Sequence, residues 1–197
     1  MENIVVKQFN LKDDAKDLKK IYKESFPKVE RVGFKELFSS VFKDFKMFCF
    51  YDSEVLLGFA HLLNSDNFIH LNYLAVNKNF QNEGVGSSII NWIKMNFNNK
   101  PIVADVENID VNAKNAHDRF RRLHFYYKNG FFDGKSEFDW NGTKMYYIIT
   151  GYISDVEFMD HIKNVFQLFV MLDHINQIKI MLRVVLKSYK IITGSGF

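Results

Sequence analysis

A chain of 197 residues and 23.3 kDa is enough for one domain, or one domain with an appendage. Its 47% hydrophobic and 25% charged residues exclude a disordered, collagen-like or disulfide-scaffold protein. The net charge of +3 is too small to argue for nucleic acid. With 21 Phe and 9 Tyr the core is expected to be aromatic-rich. The single cysteine, Cys49, cannot form an internal disulfide, and its setting, Met47-Phe48-Cys49-Phe50, predicts a buried structural thiol. The first residues include acids and no apolar stretch of signal length, and the late run Phe169 to Leu172 is far too short for a membrane span. The expectation is a cytoplasmic protein with no membrane and no nucleic-acid partner.

In chain order, Ile4 to Phe9 reads as a strand. Leu11 to Ser25 reads as a helix, with acids early and lysines late as the helix dipole prefers, and Pro27 stops it. Phe34, Leu37, Phe38, Val41, Phe42 and Phe45 form one stripe, so 34–45 is expected to be a second helix. Met47 to Tyr51 and Val55 to Leu63 form a hairpin around Asp52-Ser53-Glu54. Phe68 to Val76 is a strand, with Ile69, Leu71, Tyr73 and Ala75 expected on one face. A polar loop, Asn77 to Glu83, leads to a helix from Gly84 to Asn96. Pro101 to Val106 is a short, nearly continuous apolar strand, as in a sheet covered on both faces. Ala113 to Lys128 reads as a helix closed by Gly130. Phe131 to Trp140 and Lys144 to Tyr152 form a last hairpin turned by Asn141-Gly142.

The predicted order, β-α-α-β-β-β-α-β-α-β-β, is a mixed α/β sheet with helices on its faces. After residue 152 the character changes. Ile162, Val165, Phe166, Phe169 and Leu172 keep helical spacing, as do Ile175, Ile178, Leu182, Val185 and Tyr189, and Thr193 to Phe197 reads as a loose tail. The chain therefore divides into a domain over 1–152 and a helical extension over 153–197.

The chemistry is concentrated in Leu74-Ala75-Val76 and the loop Gln81-Asn82-Glu83-Gly84-Val85-Gly86-Ser87. Glycines let backbone N–H groups approach a ligand, and the helix that follows adds unpaired donors and a positive dipole end, which suit a pyrophosphate. A P-loop is excluded because no Gly-Lys-Ser/Thr follows. A dinucleotide fingerprint is the closer decoy, because Asp105 lies 21 residues after Gly84. Its third position is Ile89, however, and seven residues separate Val76 from Gly84.

Gln81-x-x-Gly84-x-Gly86 after a strand ending Leu74-Ala75-Val76 resembles the acetyl-CoA motif of the GCN5-related N-acetyltransferase (GNAT) superfamily. A second stretch, Phe125-Tyr126-Tyr127-Lys128-Asn129-Gly130-Phe131, is similar to that family's Phe-Tyr-x-x-x-Gly-Phe. The resemblance covers about residues 3 to 150. It implies a GNAT-like, splayed mixed sheet and an acetyl-CoA acyl donor, with no metal. By position, Gln81, Asn82, Glu83, Gly84, Val85, Gly86 and Ser87 would hold the pyrophosphate. The edge at Leu74, Ala75 and Val76 would pair with the pantetheine arm, a backbone N–H near Val76 would polarise the thioester, and Asn112 or Asn115 would touch the arm. Tyr126 would be the proton donor to the leaving thiolate, with Tyr127 as its neighbour. Glu107 would be the base, with Asp105 and Glu137 as rivals.

The partner expected is a small-molecule or peptide amine, and the reaction expected is direct acetyl transfer in a ternary complex. Phe26-Pro27 and Glu30-Arg31 lie where the family shapes its acceptor pocket. Arg119, Arg121 and Arg122 read as a solvated helix face, or as partners for the CoA 3′-phosphate or an acidic acceptor. The six histidines show no metal spacing, and His117 and His124 are seven apart. The alternative is a non-catalytic acyl-CoA-binding module whose C-terminal helices bind a partner or form a homodimer.

Overall fold

The computed structural model describes residues 4–10, 15–28, 31–39, 42–140, 142–168, 170, 171 and 174. The helical spacing from Ile175 to Tyr189, the tail from Thr193, Glu30 and the start of the first predicted helix lie outside them. Strands β1 (Ile4–Gln8), β2 (Phe45–Asp52), β3 (Val55–Asn64), β4 (Ile69–Val76), β5 (Ile102–Glu107), β6 (Phe132–Trp140) and β7 (Thr143–Ile149) form one sheet. Helices α1 (Lys16–Ser25), α2 (Val85–Asn96) and α3 (Ala116–Lys128) are joined by a fourth, α4, over residues 155–168.

The strand order is β1-β2-β3-β4-β5-β7-β6. Among the described strands only β4 and β5 run parallel, as the crossover through α2 requires; the other neighbours are antiparallel. The sheet is covered on both faces. Ile89, Ile90 and Ile93 of α2 pack with Ile69, Leu71, Ile102, Ala104 and Ile148, and Leu123 and Phe125 of α3 join them. Leu18, Ile21 and Tyr22 of α1 cover the opposite face over Met47, Cys49, Phe59, Tyr73 and Ala75. The Cys49 thiol is buried, as its neighbours predict.

Two expectations fail for instructive reasons. Among the described residues the helix expected over 34–45 does not form: Glu36–Phe38 makes a short 3-10 turn, Phe42 stands in another, and Phe45 already belongs to β2. The stripe it rests on is real, since Leu37, Phe42 and Phe45 are all buried, but tertiary burial is met by an irregular segment folded over the α1 side of the core. The second failure lies in β4. Leu71 opposes Leu62 while Tyr73 opposes His61, so Asn72 is an extra residue in the ladder. The bulge flips the strand's faces: Ile69 and Leu71 point into the α2 side, but Tyr73 and Ala75 point to α1.

The described part of the extension packs on the main sheet. Ser154 opens α4 as an N-cap, its Oγ accepting from the Glu157 backbone N–H at 3.2 Å. Phe158 and Ile162 then cover Phe68, Val103, Tyr147 and Ile149, and Val165 reaches the α1 cluster. The apolar stripe of 155–168 thus finds its cover on its own sheet. Among the described residues, no helix is long and apolar enough to cross a membrane.

Candidate active site

Beyond residue 70, β4 and β5 part. Their ladder consists of Ile69 with Ile102 and His70 with Val103. From Leu71 onward the β4 edge faces a gap instead of a neighbour. A cavity of about 350 Å³ fills that gap. Its walls come from the bulged part of β4 (Asn72, Tyr73, Leu74), the end of β5 (Asp105, Val106, Glu107) and α3 (Arg122, Tyr126). The α1, hairpin and α4 side contributes Phe26, Phe138, Met145, Ile162 and Phe166.

The glycine turn stands beside the gap. Asn77 anchors its start, donating to the Leu56 carbonyl at 3.1 Å and accepting from the Asn79 N–H at 3.2 Å. Gln81 folds back to the Val76 carbonyl at 3.3 Å. Gly84 has φ 84°, a left-handed backbone that favours glycine, and nothing lies within 4 Å of where a Cβ would stand. The N–H groups that follow open α2 and have no partner within the helix. That open, donor-rich turn fits a pyrophosphate. Gly86 serves packing instead, because a Cβ there would lie 2.9 Å from the Phe125 ring. The Phe125 ring in turn sits 5.2 Å from that of Tyr126, so the turn and the cavity share one packed contact.

Tyr126 lines the cavity, held between the Phe125 and Phe131 rings at 5.2 and 5.0 Å. Burial pushes its hydroxyl up to about 12; Arg122 pulls the other way and Asp105 adds to the rise. The phenol therefore keeps its proton at neutral pH and can give it away. Tyr127 points elsewhere, donating to Asp133 at 2.6 Å.

Glu107 also reaches the cavity, but in a different state from the one expected. Arg119 holds one carboxylate oxygen at 3.0 Å and Arg122 holds the other. An incoming amine would have to displace an ion pair to use it, so Glu107 is placed as the partner that fixes two arginines. Of the α3 arginines, Arg119 is largely buried, whereas Arg122 and Arg121, the latter paired with Asp118, keep exposed side chains. Asn115 caps α3 and accepts from Arg119 Nε at 3.0 Å, outside the cavity walls. The Asn112 backbone N–H donates to Asp110 in an exposed loop. The Ala75 side chain is buried toward α1, which leaves only its backbone for the gap. Glu137 accepts from Asn108 at 3.3 Å, away from the cavity walls.

Two residues escape the sequence reading. His70 is buried on β4, and its Nε2 lies 2.9 Å from Asp105 Oδ2. On its other side His70 Nδ1 lies 2.8 Å from Nε2 of His161, from α4. Desolvation pushes the His161 imidazole down to about 3, with His70 adding to the fall. A histidine on a strand and another 91 positions later carry no joint spacing signal.

Residues 43–132 match the family model for the acetyltransferase (GNAT) domain. Over that stretch the chain resembles the GNAT acetyltransferases, and its fold is shared by solved structures of that family. Among solved structures, a GNAT-family protein from Bacteroides thetaiotaomicron aligns with TM-score 0.68 at 19% identity, over 84% of this chain and 97% of that one. An Elizabethkingia anophelis GNAT acetyltransferase with acetyl-CoA bound aligns with TM-score 0.54 at 16% identity, over 77% and 100% of the two chains. The ribosomal-protein-S18-alanine N-acetyltransferase of Escherichia coli aligns with TM-score 0.53 at 14% identity, over 78% and 97%. A search of curated proteins by sequence finds no significant match.

Proposed function

We propose that the protein is an acetyl-CoA-dependent N-acetyltransferase that passes the acetyl group directly to a primary amine. The observation that carries this reading is the gap between β4 and β5, with a donor-rich glycine turn beside it and the protonated Tyr126 hydroxyl inside it. When bound, acetyl-CoA supplies an electrophilic thioester carbonyl. The turn from Gln81 to Ser87 would grip its pyrophosphate through backbone N–H groups. The unpaired edge from Leu71 to Val76 would take the extended arm as an added strand. Tyr126 would hold a proton ready for the sulfur that leaves.

The test begins with calorimetric titration of the full chain with acetyl-CoA, CoA and NAD, followed by thiol release across an amine panel. Binding of acetyl-CoA without NAD, and thiol release that depends on an added amine, is the expected result. Acetyl-CoA binding with no release for any amine would favour a non-catalytic acyl-CoA-binding module. No binding of either CoA species would overturn the reading of the glycine turn.

A further inference from the structure

The cavity contains two carboxylates, and they are not equivalent. Glu107 is engaged at both oxygens by Arg119 and Arg122. Asp105 is engaged at one: its Oδ2 meets His70, while its Oδ1 is buried with no hydrogen-bond partner among the described residues. A buried carboxylate oxygen left without a donor is costly unless something arrives to satisfy it. Apart from His70, Asn72, Glu107, Arg122 and Thr143, the surrounding walls are apolar and aromatic. On one side Phe26 and Tyr73 meet edge to face at 4.8 Å; on the other Phe138 and Phe166 meet at 6.3 Å. Ile162 and Val165 of α4 continue the wall across the face opposite α2 and α3.

Resting on the acetyltransferase reading, we propose that Asp105 Oδ1 receives the acceptor's ammonium group. The acceptor is a small primary amine on an apolar or aromatic carbon skeleton that carries no further charge. Aromatic faces and an ammonium attract one another, and the carboxylate gives the group its one directional bond. A second ammonium, as in a polyamine or aminoglycoside, would be stripped of water against phenylalanine and isoleucine, with the other carboxylate, Glu107, already held by Arg119 and Arg122. A folded protein's lysine would have to enter past α4.

The protons balance as follows. The ammonium gives one proton to Asp105 Oδ1, which later releases it to solvent. The neutral amine attacks the thioester carbon; the C–N bond forms and the C–S bond breaks. The sulfur takes the Tyr126 proton, and the second proton shed by nitrogen restores the phenol. His70 and His161 are positioning residues. They hold Asp105 through Oδ2, which leaves Oδ1 as its unsatisfied oxygen.

The deciding experiment is a kcat/KM series on the full chain with acetyl-CoA. It compares phenethylamine and tryptamine with spermidine, an aminoglycoside and a lysine-containing peptide. The arylalkyl amines are expected to lead by about 100-fold. Preference for the polyamine, aminoglycoside or peptide overturns the acceptor class while leaving the acetyltransferase reading intact. Absence of acetyl-CoA binding defeats that reading itself. Asp105→Asn is expected to lower kcat/KM by about 100-fold or more with the acetyl-CoA affinity kept, and Glu107→Gln is the comparison. Activity within a few-fold of wild type in D105N removes Asp105 from the role. The amine series decides the acceptor class even where D105N does not fold. His161→Asn, if positioning is its role, shifts the pH profile of kcat/KM; an unchanged profile overturns that part.

Discussion

Tyr126 and Gly86 show how single residues divide the work at the gap. The phenol is pushed up to about 12 mainly by burial, so it is an acid that stays loaded across the working range. Tyr126→Phe keeps the ring between Phe125 and Phe131 but removes the proton. A loss of kcat of about 100-fold, with acetyl-CoA affinity within a few-fold of wild type by calorimetry, is the expected result. Retention of rate would take the acid role away from this residue. Gly86→Ala acts by packing. Its Cβ would press on the Phe125 ring at 2.9 Å, an overpacking cost of about 1–3 kcal/mol, while alanine's better helix propensity returns about 1 kcal/mol. The expected outcome is a small change in melting temperature and a weakened acetyl-CoA affinity, since the turn and the Phe125–Tyr126 pair must shift together.

At the scale of elements, the sequence was most legible where a local rule is strong. The helix opened by Gly84 and the turn at Gly142 follow from glycines that take a left-handed backbone, and the hairpin at Ser53 from the polar break Asp52-Ser53-Glu54 between two apolar runs. The glycine motif falls on a helix start and the aromatic motif on a helix face, where their spacing put them. Where the reading failed, a non-local demand won. The described phenylalanines of 34–45 meet their burial through 3-10 turns and β2 instead of the expected helix, and the face switch at Asn72 is set by pairing with His61 and Leu62, which no periodicity within β4 reveals. The role of α4 was legible as a helix but not as part of the main core. Phe158 is fully buried, packed on Tyr147 with ring centroids 3.9 Å apart. Phe158→Ala is expected to cost about 3–5 kcal/mol, read as a fall in denaturant midpoint. A change below about 1 kcal/mol would mean that α4 is only loosely attached.

For the whole molecule, the buried histidines set an acid limit. His61 and His161 are both pushed down to about 3, chiefly by desolvation. An unfolded chain takes up protons at these groups near pH 6.5, whereas the folded chain does not until about pH 3. Below pH 6.5 the unfolded state binds more protons, so stability falls as pH falls. Melting temperature is therefore expected to be flat above about pH 7 and to decline steadily toward about pH 4. His161→Asn should make that decline shallower. An unchanged slope would show that His161 is exposed to solvent protons in the native state.

The sheet order has a consequence for the making of the protein. β6 precedes β7 in the chain, yet β7 is the strand that sits against β5. When β6 leaves the ribosome it has no neighbour to join, and β5 shows a bare edge until residues 143–149 arrive. The apolar patch of Phe68, Val103 and Tyr147 waits longer still, for α4. The half of the molecule that would grip the donor can therefore assemble early, whereas the half that would choose the acceptor is completed late. A nascent chain paused between these two stages exposes both an open strand edge and a greasy face, the combination that invites aggregation and chaperone capture.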